Sequence, residues 1–128
     1  MDKAVVHTCE APAAIGPYSQ AIDVGGFVFT SGQLGADATT GQLADGVEAQ
    51  AELAMKNIGA ILCKAGLTHS DIVKTTVFVA DLADFAKVNA VYERFFDSAY
   101  PARSCVQVAA LPKNALVEIE CIAARKEC

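Results

Sequence analysis

No apolar run in this chain approaches the ~20 residues that a membrane-spanning helix needs. A run of cations is missing as well: ten lysines and arginines are scattered among fifteen carboxylates, for a net charge of −5. That balance opposes general nucleic-acid binding, which depends on Lys and Arg neutralising phosphates. There is no Cys-x-x-Cys, and the five cysteines (Cys9, Cys63, Cys105, Cys121, Cys128) are odd in number. In an intracellular chain they read as free thiols rather than a disulfide frame. Only His7 and His69 supply imidazole, and neither stands at metal-ligand spacing from a cysteine, so no metal site is expected. A Gly-x-x-x-x-Gly-Lys phosphate loop is absent. Residues 1–7 have neither the apolar core nor the cleavage pattern of a secretory signal, so a cytoplasmic location is expected. Repeats, linkers and low-complexity segments are not found.

What the chain does have is apolar content. At 128 residues it is one domain's length, with a single domain expected over residues 1–128. Yet 53% of its residues are hydrophobic, and the mean hydropathy is +0.33. For so small a soluble domain, that excess points to apolar surface hidden by self-association.

The local patterns give an order of elements. Lys3 to Thr8 is a short strand; Gln20–Val24 and Phe27–Ser31 flank Gly25-Gly26, a tight hairpin signal. Gly32 to Asp45 reads as loop. From Gly46 to Ala65, apolar residues recur every three or four positions, the mark of an amphipathic helix. Gly66 is suited to end it. Ile72–Ala80 is β-branched and aromatic, hence a strand. Asp81 is placed to cap a second helix, with Leu82, Phe85, Val88, Tyr92, Phe95 and Phe96 on its buried side. Asn89 stands in the same row, and its amide must find partners. Two strands follow, broken at Leu111-Pro112-Lys113-Asn114. The sum is a β-β-β-α-β-α-β-β chain: an α+β domain with two helices on one face of a sheet, whose other face also needs covering.

The last two strands carry the candidate chemistry. Side chains alternate along a strand, so Arg103, Cys105 and Gln107 share one side. Glu118 and Glu120 likewise share a side, opposite Val117, Ile119 and Cys121. Arg103 presents a permanently charged fork matched to carboxylate or phosphate, or else it pairs with Glu118, Glu120 or an acid on a neighbouring subunit. Glu120 is a candidate general acid or base if burial raises its pKa. Cys105 lacks a nearby base; an adjacent arginine would lower its pKa, but a packed or pocket-lining thiol is the simpler account. Tyr18 is either core or a phenol for a ligand. Ser31-Gly32-Gln33 follows a strand end, where small residues admit a ligand close to the backbone.

Several stretches together resemble the RidA (YjgF) family across nearly the whole chain. The most specific are Pro101-Ala102-Arg103-Ser104, Ala110-Leu111-Pro112 and Val117-Glu118-Ile119-Glu120. Also similar are residues 14–20, Thr30-Ser31-Gly32-Gln33 and residues 74–79. The resemblance implies a chorismate-mutase-like fold and a homotrimer with a central barrel. It places the last strand between Phe27–Ser31 and Ile72–Ala80 rather than beside its predecessor. It further implies hydrolysis of 2-imino acids and their enamine tautomers to 2-keto acids and ammonia, in clefts between subunits and without a cofactor. Arg103 would bind the substrate carboxylate and Glu120 would orient water and manage protons, with Tyr18, Ser31, Gly32, Asn89 and Cys105 lining the pocket. An iminium carbon is already electrophilic, so holding the carboxylate and positioning water suffice. The alternatives are a ribonuclease or translation inhibitor, an activity also attributed to the family, and a non-catalytic small-ligand binder.

Overall fold

The computed structural model describes residues 2–97 and 99–126; Cys128, one of the five expected free thiols, lies outside them. Cys9, Cys63, Cys105 and Cys121 are all free. Strand β1 (Ala4–Val6) pairs antiparallel with β2 (Ala21–Val24), which turns back into β3 (Phe27–Thr30). Gly25 and Gly26, at φ 59° and 86°, close that hairpin with Val24 opposite Phe27. Positive φ at both central positions belongs to the primed turns that fit strand twist.

The stretch expected as loop after Gly32 contains a two-residue strand, β4 (Gln33–Leu34), paired with Ile119 and Glu118. Two residues are too few for alternation to register in a sequence. Helix α1 (Val47–Lys64) ends as expected. Gly66 sits at φ 81° and donates to the Cys63 carbonyl, while Leu67 donates to that of Leu62. This double closure satisfies carbonyls of the last turn.

After β5 (Ile72–Val79) the second helix is shorter than its apolar row implied. Only α2 (Phe85–Tyr92) is regular, between tight turns at Leu82–Asp84 and Glu93–Phe95. The Asp81 carboxylate accepts from the Ala83 N–H at 2.9 Å, so it caps the first tight turn rather than α2 itself. Leu82 and Phe85 are exposed, not buried; Val88, Val91, Tyr92 and Phe96 make the covered side. Strands β6 (Ala102–Gln107) and β7 (Val117–Ala124) complete the chain, separated by a turn with Lys113 and Asn114 at φ 59° and 57°.

The strand order is β1-β2-β3-β7-β5-β6, with β4 also on β7. The last strand thus runs antiparallel between β3 and β5, while β6 lies parallel to β5 at the edge. No hairpin joins β6 to β7, in agreement with the family resemblance. Val77, Val79, Val117, Ile119, Cys121 and Ala123 point to one face and pack with the buried row of α1 and α2. Burying each large aliphatic there contributes about 1.5–3 kcal/mol. The opposite face carries Phe29, Phe78, Val106 and Ile122 by the same alternation. Phe29 and Val106 are 42% and 44% exposed on it.

Candidate functional site

Arg103 stands opposite Thr75 in the β5–β6 ladder, and Thr75 is fully buried on the helix face. Its side chain therefore rises toward α2. There Asn89 supplies the partner its position required: Arg103 Nη1 donates to Asn89 Oδ1 at 2.6 Å. The guanidinium carbon lies 5.4 Å from the ring centre of Phe85 and 5.0 Å from that of Tyr92. Tyr92 is itself tied down, its hydroxyl 2.7 Å from that of Thr75. Burial pushes the Tyr92 phenol up, against smaller opposing effects of Thr75 and Arg103. Beside these groups opens a hollow of about 450 Å³ lined by Asn89, Tyr92, Glu93, Tyr100, Pro101 and Arg103. No carboxylate among the described residues forms an ion pair with Arg103.

Cys105, two residues on, faces the same way, opposite Val77. Its thiol is pushed up by burial, and the Arg103 charge only partly offsets this. The arginine does not win, which fits a packed thiol better than an activated one. A thiol kept protonated is a poor nucleophile. The third residue of the line, Gln107, accepts the Leu82 N–H at 2.9 Å and anchors the turn before α2.

Glu118 and Glu120 point the other way, opposite Phe78 and Thr76 on the face away from the helices. Burial raises the Glu118 carboxyl, and the like charge of Glu120 raises it further. Glu118 lies over Gly32 so closely that a Cβ there would come within 2.7 Å of its carboxyl carbon. Glu118 and Gly32 line a groove of about 600 Å³ together with Ile15, Tyr18, Asp37 and Lys113. Ile15 is 83% exposed and Tyr18 53%. The loop that carries them is held from below by Gln20. Its amide accepts the Thr8 N–H at 2.8 Å and donates to the carbonyls of Thr8 and Pro12 at 3.1 and 2.8 Å. Ser31 serves the same loop, its hydroxyl donating to the Ser19 carbonyl at 2.5 Å.

A profile of the family described as Endoribonuclease L-PSP matches residues 8–125. The chain belongs to this family, the RidA family. It is 56% identical over 124 residues to the 2-iminobutanoate/2-iminopropanoate deaminase of Salmonella typhimurium, covering 94% of this chain and 97% of that protein. Escherichia coli TdcF, solved with bound serine, superposes with a TM-score of 0.93 at 51% identity, over 96% of this chain and 99% of that one. The YjgF gene product of E. coli superposes equally well, at 0.93 and 52% identity, over 96% and 99%.

Within this RidA chain the expected site residues fall into two groups. Arg103, Asn89 and Cys105 gather on the helix face. Tyr18 and Gly32 stand at the groove on the far side, with Ser31 bonded beneath their loop. Glu120 lines neither hollow; Glu118 takes the place at the groove. Phe85 and Tyr92 were legible only as an apolar row, although Phe85, Asn89 and Tyr92 at i, i+4 and i+7 already marked one helix face. Among the described residues no cluster of His, Cys, Asp or Glu could hold a metal ion. No helix of the described residues is long and apolar enough to cross a membrane.

Proposed function

We propose that the chain hydrolyses reactive 2-imino acids and their enamine tautomers to 2-keto acids, releasing ammonia. The observation that carries this reading is Arg103: a guanidinium steadied by an amide and two rings, beside open volume, with no carboxylate paired to it among the described residues. Guanidinium stays charged at any working pH. One of its five N–H donors goes to Asn89, which leaves an edge for a bidentate carboxylate. Relatives named for this activity support the same reading.

The chemistry then asks little more. Water adds to the electrophilic C=N carbon, giving a carbinolamine. A proton moves from the added water to nitrogen, the C–N bond breaks, and ammonia leaves behind a 2-keto acid. A carboxyl with a raised pKa suits that proton transfer at near-neutral pH. We place this role on Glu118, which lines the groove, rather than on Glu120, whose charge helps to raise it.

In one protomer the Arg103 hollow and the Glu118 groove lie on opposite faces of the sheet, too far apart in direction to hold one small molecule. A homotrimer with the sheets closed into a central barrel would set the hollow of one subunit against the groove of the next. The exposed Phe29 and Val106 give such an assembly apolar surface to bury. His69 spends its Nε2 on the Met55 carbonyl at 2.7 Å, and neither histidine lines either hollow, which leaves a ribonuclease without an imidazole acid–base pair.

The test is a coupled assay in which a dehydratase generates 2-iminobutanoate in the presence of the protein. Keto acid should form well above the solvent rate, and Arg103→Ala should abolish the acceleration. Light scattering should give three times the 13.4 kDa protomer mass for both proteins. Formation no faster than background would sink the reading.

A further inference from the structure

The row on α2 that meets Arg103 is unusual in what it combines. Asn89 takes one N–H of the guanidinium, while Phe85 and Tyr92 place aromatic rings within cation–π range, about 6 Å. Tyr92 is fixed in turn by Thr75, the residue that faces Arg103 across the ladder. The strand position opposite the arginine therefore also holds the ring against which the arginine rests. None of these partners carries a negative charge, so the cation is steadied without being neutralised. An arginine side chain has many rotamers, and freezing them during binding weakens affinity; freezing them beforehand removes that cost.

We propose that Phe85, Tyr92 and Thr75 are positioning residues for carboxylate recognition, holding the Arg103 guanidinium in a ligand-ready orientation before substrate arrives. This rests on Arg103 being the carboxylate clamp. The three residues act on the grip and not on the proton transfers, so their effect falls on substrate binding. Ground state and transition state both keep the carboxylate, and an interaction common to both changes KM with little change in kcat.

Phe85 is the residue to vary, because it is 38% exposed and its loss leaves the core intact. Phe85→Leu should raise KM for 2-iminobutanoate, and the Kd for 2-ketobutanoate measured by calorimetry, about threefold to fivefold with kcat retained. Phe85→Tyr, which restores a ring, should return both to the wild-type values. Tyr92→Phe keeps its ring but frees it from Thr75, and should raise KM by about twofold. A second readout needs no substrate. In 15N-arginine-labelled protein, where Arg94 and Arg125 are the only other arginines, the Arg103 guanidinium should show slowed rotation in the free wild type and averaged signals in Phe85→Leu. Wild-type KM, Kd and guanidinium rotation in Phe85→Leu would overturn the proposal. Slowed rotation lost in Phe85→Leu, in a protein that binds no 2-keto acid, would instead overturn the clamp reading of Arg103, and the proposed purpose with it.

Discussion

The hollow at Arg103 and the groove at Glu118 are built in opposite ways. At the hollow one protomer supplies everything the functional group needs: Thr75 fixes Tyr92, Tyr92 and Phe85 flank the guanidinium, and Asn89 takes one donor. At the groove the polar group is half-buried beside an exposed rim, with Ile15 at 83% and Tyr18 at 53%, although Tyr100, which lines the hollow, is exposed as well. A full set of partners for the guanidinium on one face and an exposed rim on the other fit the proposed site shared between subunits. Under the proposed function the difference also divides the labour, with affinity set at the hollow and rate at the groove.

The sharpest way to break that division is Glu118→Gln. If the groove carries the proton transfers, kcat should fall about 100-fold, the low end of what general acid–base catalysis contributes. The Kd for 2-ketobutanoate should stay near the wild-type value, because the Arg103 clamp is untouched. Steady-state kinetics and calorimetry on the same preparation separate the two. Loss of binding with kcat preserved would reverse the assignment.

How far a sequence shows this division can be judged from the same residues. Alternation along the strands correctly grouped Arg103 with Cys105 and Glu118 with Glu120, because period two is a local property. It could not say that the two groups face opposite sides. That depends on β7 entering between β3 and β5, pairings 38 to 51 residues apart for β5 and 93 to 97 for β3. Nor could alternation separate Glu118 from Glu120, which have the same parity. Position along the strand separates them: Glu118 lies over Gly32 beside β4, whereas Glu120 stands opposite Thr76 and lines neither hollow. The strand that marks this place, β4, is only two residues long and left no pattern to find. By contrast, Asn89 within an apolar row demanded a partner on general grounds, and the partner is Arg103.

A smaller effect reports on the helix face beside Arg103. Two influences compete at Cys105, burial raising its pKa and the Arg103 charge lowering it, and burial is the larger. Alkylation follows the thiolate fraction and access. At pH 8, iodoacetamide should modify Cys105 at no more than about a tenth of the rate of exposed Cys63, as peptide mass spectrometry can follow. A Cys105 rate equal to that of Cys63 would mean that the guanidinium outweighs burial at this thiol.

The finest test concerns Glu120, which touches neither hollow yet acts on the groove through charge. Glu118 is raised first by burial and then by the carboxylate two residues along the same strand face. Ionising Glu118 beside an anion is unfavourable, so removing that anion lets Glu118 ionise at lower pH. If the basic form of Glu118 is the working one, kcat rises with pH as Glu118 loses its proton, and Glu120→Gln should move that acidic limb down. The contribution from burial remains, so the limb should still lie above the ordinary glutamate range. Folding stability carries the same sign. A carboxyl raised in the native state favours folding below its unfolded pKa, and that contribution is lost as pH rises through the native value. Glu120→Gln should therefore lessen the loss of stability on the alkaline side of that window, seen as a smaller fall in urea midpoint between pH 4.5 and 7. A limb that moves upward, or a kcat that drops as far as in Glu118→Gln, would make Glu120 the proton-handling group and Glu118 its neighbour.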